Sequence, residues 1–317
     1  MKLPDLVTIG ETMVVFDGSK PGPLSYIESY ERHTGGAETT VAVGVVRLGH
    51  TAGWISRLGN DEFGKYVLKT FRGEGLDVSQ VQLDNYNPTG IFFRQRQANG
   101  EIKNFYYRKG SAASCMGPQD IKEEYIKQAK YLHVTGITPA LSESCRKAVE
   151  YAMKVAKNNG VKVSFDPNLR LKLWTKEDAQ KTLLELMRLA DIVLPGIEEC
   201  RVLFGTDKVD TLFERITAMG PDTVVIKTGS DGAVGLQKDE RVEVPGFRVK
   251  IVDPFGAGDA FAAGFLAGQL KGWNLKKSMV LANALGAMAV TVNGNVEALP
   301  TLEEAQMFIS GQDGINR

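Results

Sequence analysis

Along this chain, short apolar runs of strand length alternate with longer stretches whose apolar positions recur at helical spacing. Residues 6–9, 52–58, 131–134, 161–165, 192–194 and 223–226 read as strands buried on both faces, as in a parallel sheet. A helix opened by Gly35-Gly36-Ala37-Glu38 runs to Leu48 with Val41, Val45 and Leu48 on one face, and Gly49 stops it. Helical spacing also predicts helices over 62–71, 143–157, 176–189, 276–292 and 302–310, and two short strands fall at 233–236 and 241–244. This alternation predicts one α/β domain over residues 1–317, with a mostly parallel central sheet covered by helices on both faces. Polar clusters stand at the strand carboxyl ends, where ligands bind in open α/β sheets.

Two stretches break the rhythm. From Gly18 to Arg32, Pro21-Gly22-Pro23 precedes alternating Leu24, Tyr26, Ile27 and Tyr30, the texture of an exposed strand or ribbon. Residues 91–96 and 102–108 flank Ala98-Asn99-Gly100-Glu101, and Asn-Gly is the strongest short hairpin signal. Together, residues 12–32 and 88–110 predict a small β lid. Its aromatics and its arginines Arg94, Arg96 and Arg108 suit a ligand cover or an association surface, and two lids could pair in a homo-oligomer.

Charge and cysteine usage narrow the classes. With 38 basic and 38 acidic side chains there is no net field to recruit nucleic acid or an anionic membrane. Cys115, Cys145 and Cys200 are far apart and odd in number, which fits reduced thiols, and three histidines make a His-based metal site a poor expectation. The expected protein is soluble and cytoplasmic, with no apolar signal core and no membrane-length run.

The richest chemistry lies in V-D-P-F-G-A-G-D-A-F-A-A-G-F-L-A-G, residues 252–268. A strand-like run (Val249, Ile251, Val252) meets a glycine-rich turn and then a helix. Gly256 and Gly258 let backbone N–H groups converge on an anion, and the helix start adds its positive dipole end. Asp259 beside that cradle would be an ionised carboxylate positioned as a base for phosphoryl transfer. An Asp at a helix start is also a common N-cap. The G-x-G overlaps the dinucleotide fingerprint, but Phe261 stands where the third glycine belongs, which disfavours an NAD-dependent dehydrogenase.

Gly35-Gly36-Ala37-Glu38 before V-A-x-G-x-x-R-L-G, then Asp166-Pro167-Asn168-x-Arg170, then Asp253-x-x-Gly256-Ala257-Gly258-Asp259, resemble in order the PfkB (ribokinase-like) carbohydrate kinases, over essentially the whole chain. The resemblance implies a Rossmann-like three-layer α/β sandwich with a β lid, transferring the γ-phosphoryl of MgATP to a sugar hydroxyl. It implies Asp259 as general base and the N–H groups of Gly256, Ala257 and Gly258 as the anion hole. Asn168 and Glu199 would serve the phosphates and Mg2+, Glu199 indirectly. Thr228, Gly229 and Gly232 would lie along nucleotide phosphate and ribose, with Asn283 near adenine. Gly35 and Gly36 would border the sugar, and the family leaves room for a monovalent cation. Thr40 and Gly196 depart from the family's usual Asn. Val15 stands where kinases of neutral ketoses often carry Asp.

Tyr106-Tyr107-Arg108-Lys109-Gly110-Ser111-Ala112, Asp166 to Arg170 with Leu173-Trp174, and Leu194 to Glu199 resemble the 2-keto-3-deoxygluconate kinases within that family. Arg108 and Arg170 converging on one cleft would bind a carboxylate, with Phe92 and Tyr106 along the carbon chain. Either arginine could instead pair with an acidic neighbour, and Arg170 with ATP phosphates. The expected reaction is phosphorylation of the terminal hydroxyl of 2-keto-3-deoxygluconate. Fructokinase, 5-keto-2-deoxygluconate kinase and a non-catalytic sugar-binding paralogue are the alternatives.

Overall fold

The computed structural model describes residues 3–315. Its first half contains β1 (Leu6–Ile9), β2 (Met13–Gly18), β3 (Tyr30–Gly35), α1 (Ala37–Arg47), β4 (Ala52–Gly59), α2 (Glu62–Gly73), β5 (Asp77–Asp84), β6 (Ile91–Arg96), β7 (Ile102–Tyr107), α3 (Glu123–Ile126), β8 (Tyr131–Thr135) and α4 (Glu143–Asn158). The second contains β9 (Lys162–Asp166), α5 (Lys176–Met187), β10 (Ile192–Val193), α6 (Ile197–Phe204), α7 (Val209–Thr217), β11 (Thr223–Lys227), β12 (Gly232–Gln237), β13 (Glu240–Pro245), α8 (Ala257–Leu270), α9 (Leu275–Ala289) and α10 (Leu302–Ile315).

Nine strands form the central sheet in the order β13-β12-β11-β10-β9-β8-β1-β4-β5, and all pairings are parallel except those of β12 with β11 and β13. Side-chain alternation explains the three layers. Leu6 enters one core while Val7 and Ile9 enter the other; Trp54 and Ile55 divide likewise, as do Val225 and its neighbours Val224 and Ile226. One core is completed by α1, α2, α8 and α9 (Val41, Phe71, Phe265, Leu285), the other by α4, α5 and α7 (Val149, Leu183, Phe213). Every residue of α8 from Ala260 to Gly268 is buried, so the helix that begins at the glycine-rich turn is anchored in the core.

The lid is a second sheet, in the order β3-β2-β6-β7, with β2 and β6 parallel and the other pairs antiparallel. The Asn-Gly hairpin forms as expected between β6 and β7, with Gly100 at φ +85°. The ribbon expected over 18–32 is mostly irregular, with a single 3₁₀ turn at Leu24–Tyr26. Strand pairing starts only at Tyr30 and runs on to Gly35.

The run at Val249–Val252 is not a strand: Ile251 and Val252 are 64% and 44% exposed, and the segment is tied down by the N–H groups of Val252 and Asp253, which donate to the Val290 carbonyl at 2.8 and 3.1 Å. Four elements have no counterpart in the sequence reading, the one-turn helix α3 among them. The edge strand β5 buries only Val78 of its own residues, and α6 and α7 are short helices following Pro195-Gly196.

Candidate active site

A cleft of about 880 Å³ opens between the strand carboxyl ends and the lid. The core side contributes Glu38, Asp166, Asn168, Lys227 and Asp259; the lid contributes Phe92, Tyr106 and Arg108. Gly35, Gly36, Arg170, Glu199, Gly256, Ala257 and Gly258 line it too.

At one end, α8 starts without a side-chain cap. Its first N–H groups are therefore free to meet an anion, as the glycine spacing predicts. Gly256 sits at φ +80°, and a β-carbon there would lie 2.1 Å from Asn295 Oδ1, so only glycine fits. Asp259 stands in the helix's first turn. Burial pushes its pKa up to about 7, the Asp166 charge adds to the rise, and Arg170 and Lys227 oppose it. The expectation of a fully ionised carboxylate is thus corrected: desolvation outweighs the helix dipole, and the group titrates near neutrality. Asn168 Nδ2 donates to Asp259 Oδ1 at 3.2 Å. Asn168 itself is held at φ 37° by its own N–H, which donates to Asp166 Oδ1 at 3.1 Å, a left-handed conformation that Asn tolerates.

Behind Asp259 lies a charge cluster. Lys227 Nζ donates to Asp166 Oδ2 at 2.5 Å. Burial alone would depress the Lys227 ammonium, but Asp166 and then Glu199 outweigh it and hold the pKa above its ordinary value. Glu199 accepts the Leu169 N–H on Oε1 and the Gly196 N–H on Oε2, both at 2.7 Å. It staples the loop after β9 to the start of α6, and burial raises its pKa, with the Asp166 charge adding.

The lid end is more closed than expected. Arg108 forms an ion pair with Glu11, both recessed, and Glu11 Oε1 accepts the Ser111 hydroxyl at 2.5 Å. Arg108 thus has the acidic neighbour that the sequence left open as its alternative partner, while its Nε is buried without a partner. Arg170 is exposed on the opposite side, where its guanidinium makes only a 3.4 Å contact to the Leu169 carbonyl. Phe92 is buried against Tyr106, ring centroids 5.1 Å apart. Gly35 and Gly36 are packed too closely for a side chain: a β-carbon at Gly35 would meet Phe92 and Val15 at 2.9 Å, and one at Gly36 the Thr12 hydroxyl at 2.5 Å.

Thr228, Gly229, Gly232 and Asn283 do not line this cleft. Gly229 is in a left-handed turn open to solvent, one residue beyond Thr228. Gly232 (φ +106°) packs against the end of β13, where a β-carbon would lie 2.2 Å from the Val244 carbonyl oxygen. Asn283 is committed to structure, its Nδ2 donating to the Val244 and Pro245 carbonyls at 3.1 Å.

Residues 3–302 match the pfkB family carbohydrate kinase model. The chain belongs to the pfkB carbohydrate kinase family. It is 37% identical to 2-dehydro-3-deoxygluconokinase of Bacillus subtilis (strain 168), across 100% of this chain and 98% of that protein. It is 35% identical to 2-dehydro-3-deoxygluconokinase of Thermoproteus tenax, across 96% and 94%. An E. coli protein assigned as a ribokinase II, solved in complex with ATP and Mg2+, superposes with a TM-score of 0.91 at 29% identity, across 98% of this chain and 100% of that one. The fold is therefore the ribokinase-like α/β sandwich.

In this pfkB kinase, residues that sequence reasoning left without a role also face the cleft. Glu38 accepts the Thr135 and Thr138 hydroxyls on Oε1 at 2.7 and 2.8 Å, and its Oε2 is buried without a partner. Burial raises its pKa. Glu11, Asp166 and Lys227 each lie at or just past the end of a strand, the one signal that could have singled them out. Asn295 had no such signal. It comes from a distant loop, donates to the Thr40 hydroxyl at 2.6 Å, and leaves a buried Oδ1 unpartnered beside Gly256. Thr40 also donates to the Gly36 carbonyl at 2.8 Å, so the residue that departs from the usual Asn still ties the Gly-Gly turn to this loop. Among the described residues no group of three or more His, Cys, Asp or Glu could hold a metal ion, and no helix is long and apolar enough to cross a membrane.

Proposed function

We propose that this carbohydrate kinase transfers the γ-phosphoryl of MgATP to the terminal hydroxyl of 2-keto-3-deoxygluconate, also called 2-dehydro-3-deoxygluconate. The observation that carries the reading is the uncapped start of α8 beside the buried Asp259 carboxylate, at one end of a cleft of about 880 Å³. As the sugar oxygen bonds to phosphorus and the bond to ADP breaks, Asp259 takes the hydroxyl proton, and a base is most effective with its pKa near the operating pH. Charge on the moving phosphoryl group meets the N–H groups of Gly256, Ala257 and Gly258, fixed beforehand by the buried helix. Asn168 orients Asp259.

Oxygen donors of Asp166, Asn168 and Glu199 at this end suit Mg2+, which keeps several of its waters and takes few direct protein ligands. Glu199, with both oxygens on backbone N–H groups, would act through such a water. The metal would supply neutralisation of phosphate charge. The adenosine end of the nucleotide would run out past Thr228 and Gly229.

The sugar-acid assignment is supported by the two curated relatives, by exposed Arg170 on the cleft rim and by the unpartnered donor of Arg108. A neutral ketohexose is the second reading, favoured by the Arg108–Glu11 pair, which offsets one of the two cations. ADP release with 2-keto-3-deoxygluconate, 5-keto-2-deoxygluconate, fructose and ribose separates them, and the same assay in potassium against sodium tests for a monovalent cation. Highest kcat/KM on fructose would reject the sugar-acid reading.

We also propose that the lid mediates a homo-oligomer. Phe16, Tyr30, Phe93 and Tyr107 form an aromatic cluster on the lid face away from the cleft, with Tyr107 65% exposed on the edge strand β7. A monomer by light scattering at assay concentration would reject it.

A further inference from the structure

We propose that Arg94 is a positioning residue for phosphoryl transfer, fastening the lid to the anion loop so that a sugar seated under the lid sets the phosphate cradle. The proposal rests on the kinase reading of this cleft. Arg94 lies on β6 and is 2% exposed; Asp253, which opens the loop leading to Gly256 and α8, is 0% exposed. Arg94 Nη2 donates to Asp253 Oδ1 at 2.8 Å, and Nη1 lies 2.7 Å from Oδ2. The same Oδ1 accepts the Phe255 N–H at 3.1 Å, so one carboxylate both grips the lid and shapes the turn into the cradle. On the lid side, Asp17 is the register partner of Arg94, lies 3.5 Å from its Nη1, and accepts from Arg96 at 2.7 Å.

A second path runs in parallel. Tyr106 borders the sugar end of the cleft and packs on Phe92, its register partner across β6 and β7. Phe92 packs on Phe255 with centroids 6.1 Å apart, and the Arg94 guanidinium lies 5.1 Å from the centroid of that same Phe255 ring. A shift of the lid at Tyr106 therefore reaches residues 253–256 through both aromatic and ionic contacts.

Adhesion alone does not explain such a pair. Burying two charges carries a desolvation cost that apolar side chains of similar volume avoid, and Arg94 Nε is buried without a partner in addition. What a guanidinium on a carboxylate adds is orientation.

The experiment compares wild type, Arg94→Lys and Arg94→Ala by calorimetry, using the non-hydrolysable ATP analogue AMP-PNP with magnesium, with and without saturating 2-keto-3-deoxygluconate. In wild type, sugar should tighten nucleotide binding about tenfold; in Arg94→Ala that factor should fall towards one, while each ligand alone binds within about threefold of wild type. Turnover of Arg94→Ala should drop about 10- to 100-fold with little change in the sugar KM, as expected when a cradle is misplaced. Millimolar guanidinium should restore part of it where equal sodium chloride does not, and Arg94→Lys should fall between. Undiminished coupling or turnover in Arg94→Ala overturns the proposal. So does a loss of affinity for both ligands with the coupling factor intact, or wild type showing no coupling. If Arg94→Ala does not fold, amide exchange of wild type decides: slowing over residues 252–256 on adding sugar alone supports it, and no slowing overturns it. If 2-keto-3-deoxygluconate is not turned over, the substrate reading fails separately, and the same measurements use whichever sugar in the panel is.

Discussion

The two walls of the cleft are built on different principles. On the core wall the reactive groups are aimed by the backbone. Asp166 accepts the Asn168 N–H, Glu199 accepts two backbone N–H groups, and Asp259 is part of the first turn of a buried helix. On the lid wall the arginine facing the cleft is a long side chain balanced by a carboxylate, Arg108 by Glu11, and behind that wall Arg96 pairs with Asp17 and Arg94 with Asp253. Groups on the core wall cannot be moved without moving a strand or helix, whereas the Arg108 side chain is long enough to change partner. On the proposed reading, the first wall carries the chemistry and the Arg108 side of the second contacts the sugar.

The sharpest way to break that division is at Asp259. Asp259→Asn should lower kcat by about two to four orders of magnitude with nucleotide affinity little changed, measured by steady-state assay and nucleotide titration. The same variant should be more stable than wild type at pH 8. The folded-state pKa of about 7 lies above the ordinary 3.8. The stability this group contributes is therefore present below pH 3.8 and lost as pH rises through 7. Above that, wild type carries a recessed carboxylate that Asn replaces without charge. Calorimetry should show a higher Tm, at about 2–4 °C per kcal/mol in a large domain; a lower one would contradict the burial argument.

Next in size, Lys227→Met leaves Asp166 and Glu199 without their shared cation. Stability should fall by about 3 kcal/mol in urea unfolding, as for a broken buried pair, with turnover falling alongside. A smaller effect reads the base directly. In wild type, log kcat/KM should rise with unit slope below about pH 7 and level off above it, as Asp259 loses its proton. In Asp259→Asn that inflection should vanish, and its survival would assign the titration to another group.

The smallest effect tests the lid wall. Arg108→Ala should raise KM for the sugar acid about tenfold, the worth of a charge-assisted hydrogen bond, and leave a neutral ketose nearly unaffected. Equal changes for both would place Arg108 in scaffolding with Glu11.

The core wall was the more legible from sequence, for a physical reason. Gly256, Gly258 and Asp259 advertise themselves because an anion cradle needs glycine conformations at fixed spacing ahead of a helix. Asn168 follows a strand that the apolar rhythm marks and Glu199 lies in the first turn of α6; both are singled out by the family resemblance. Lys227 and Glu11 stand at or just past strand ends too, but spacing does not reveal that Asp166, two strands away in the same sheet, and Arg108, on the lid, are their partners. Asn283 and Gly232, expected from the resemblance along the nucleotide, also fasten or pack against β13, which the sequence does not reveal. Edge strand β5 was invisible because an edge with few buried side chains carries little apolar signal. The Val249–Val252 alternation misled because nothing in the pattern shows that no neighbouring strand is there to pair with it.

The Gly256–Asn295 contact also bears on how this site can change over generations. A side chain at 256 is opposed twice, by a backbone angle suited to glycine and by an amide oxygen lodged where a methyl group would go. Mutating Asn295 to something smaller relieves only the second obstacle, and it also releases Thr40. Neither position offers a viable first step towards an altered phosphate loop. Single replacements are less constrained on the opposite rim, where Glu11 and Arg108 stand apart from this loop.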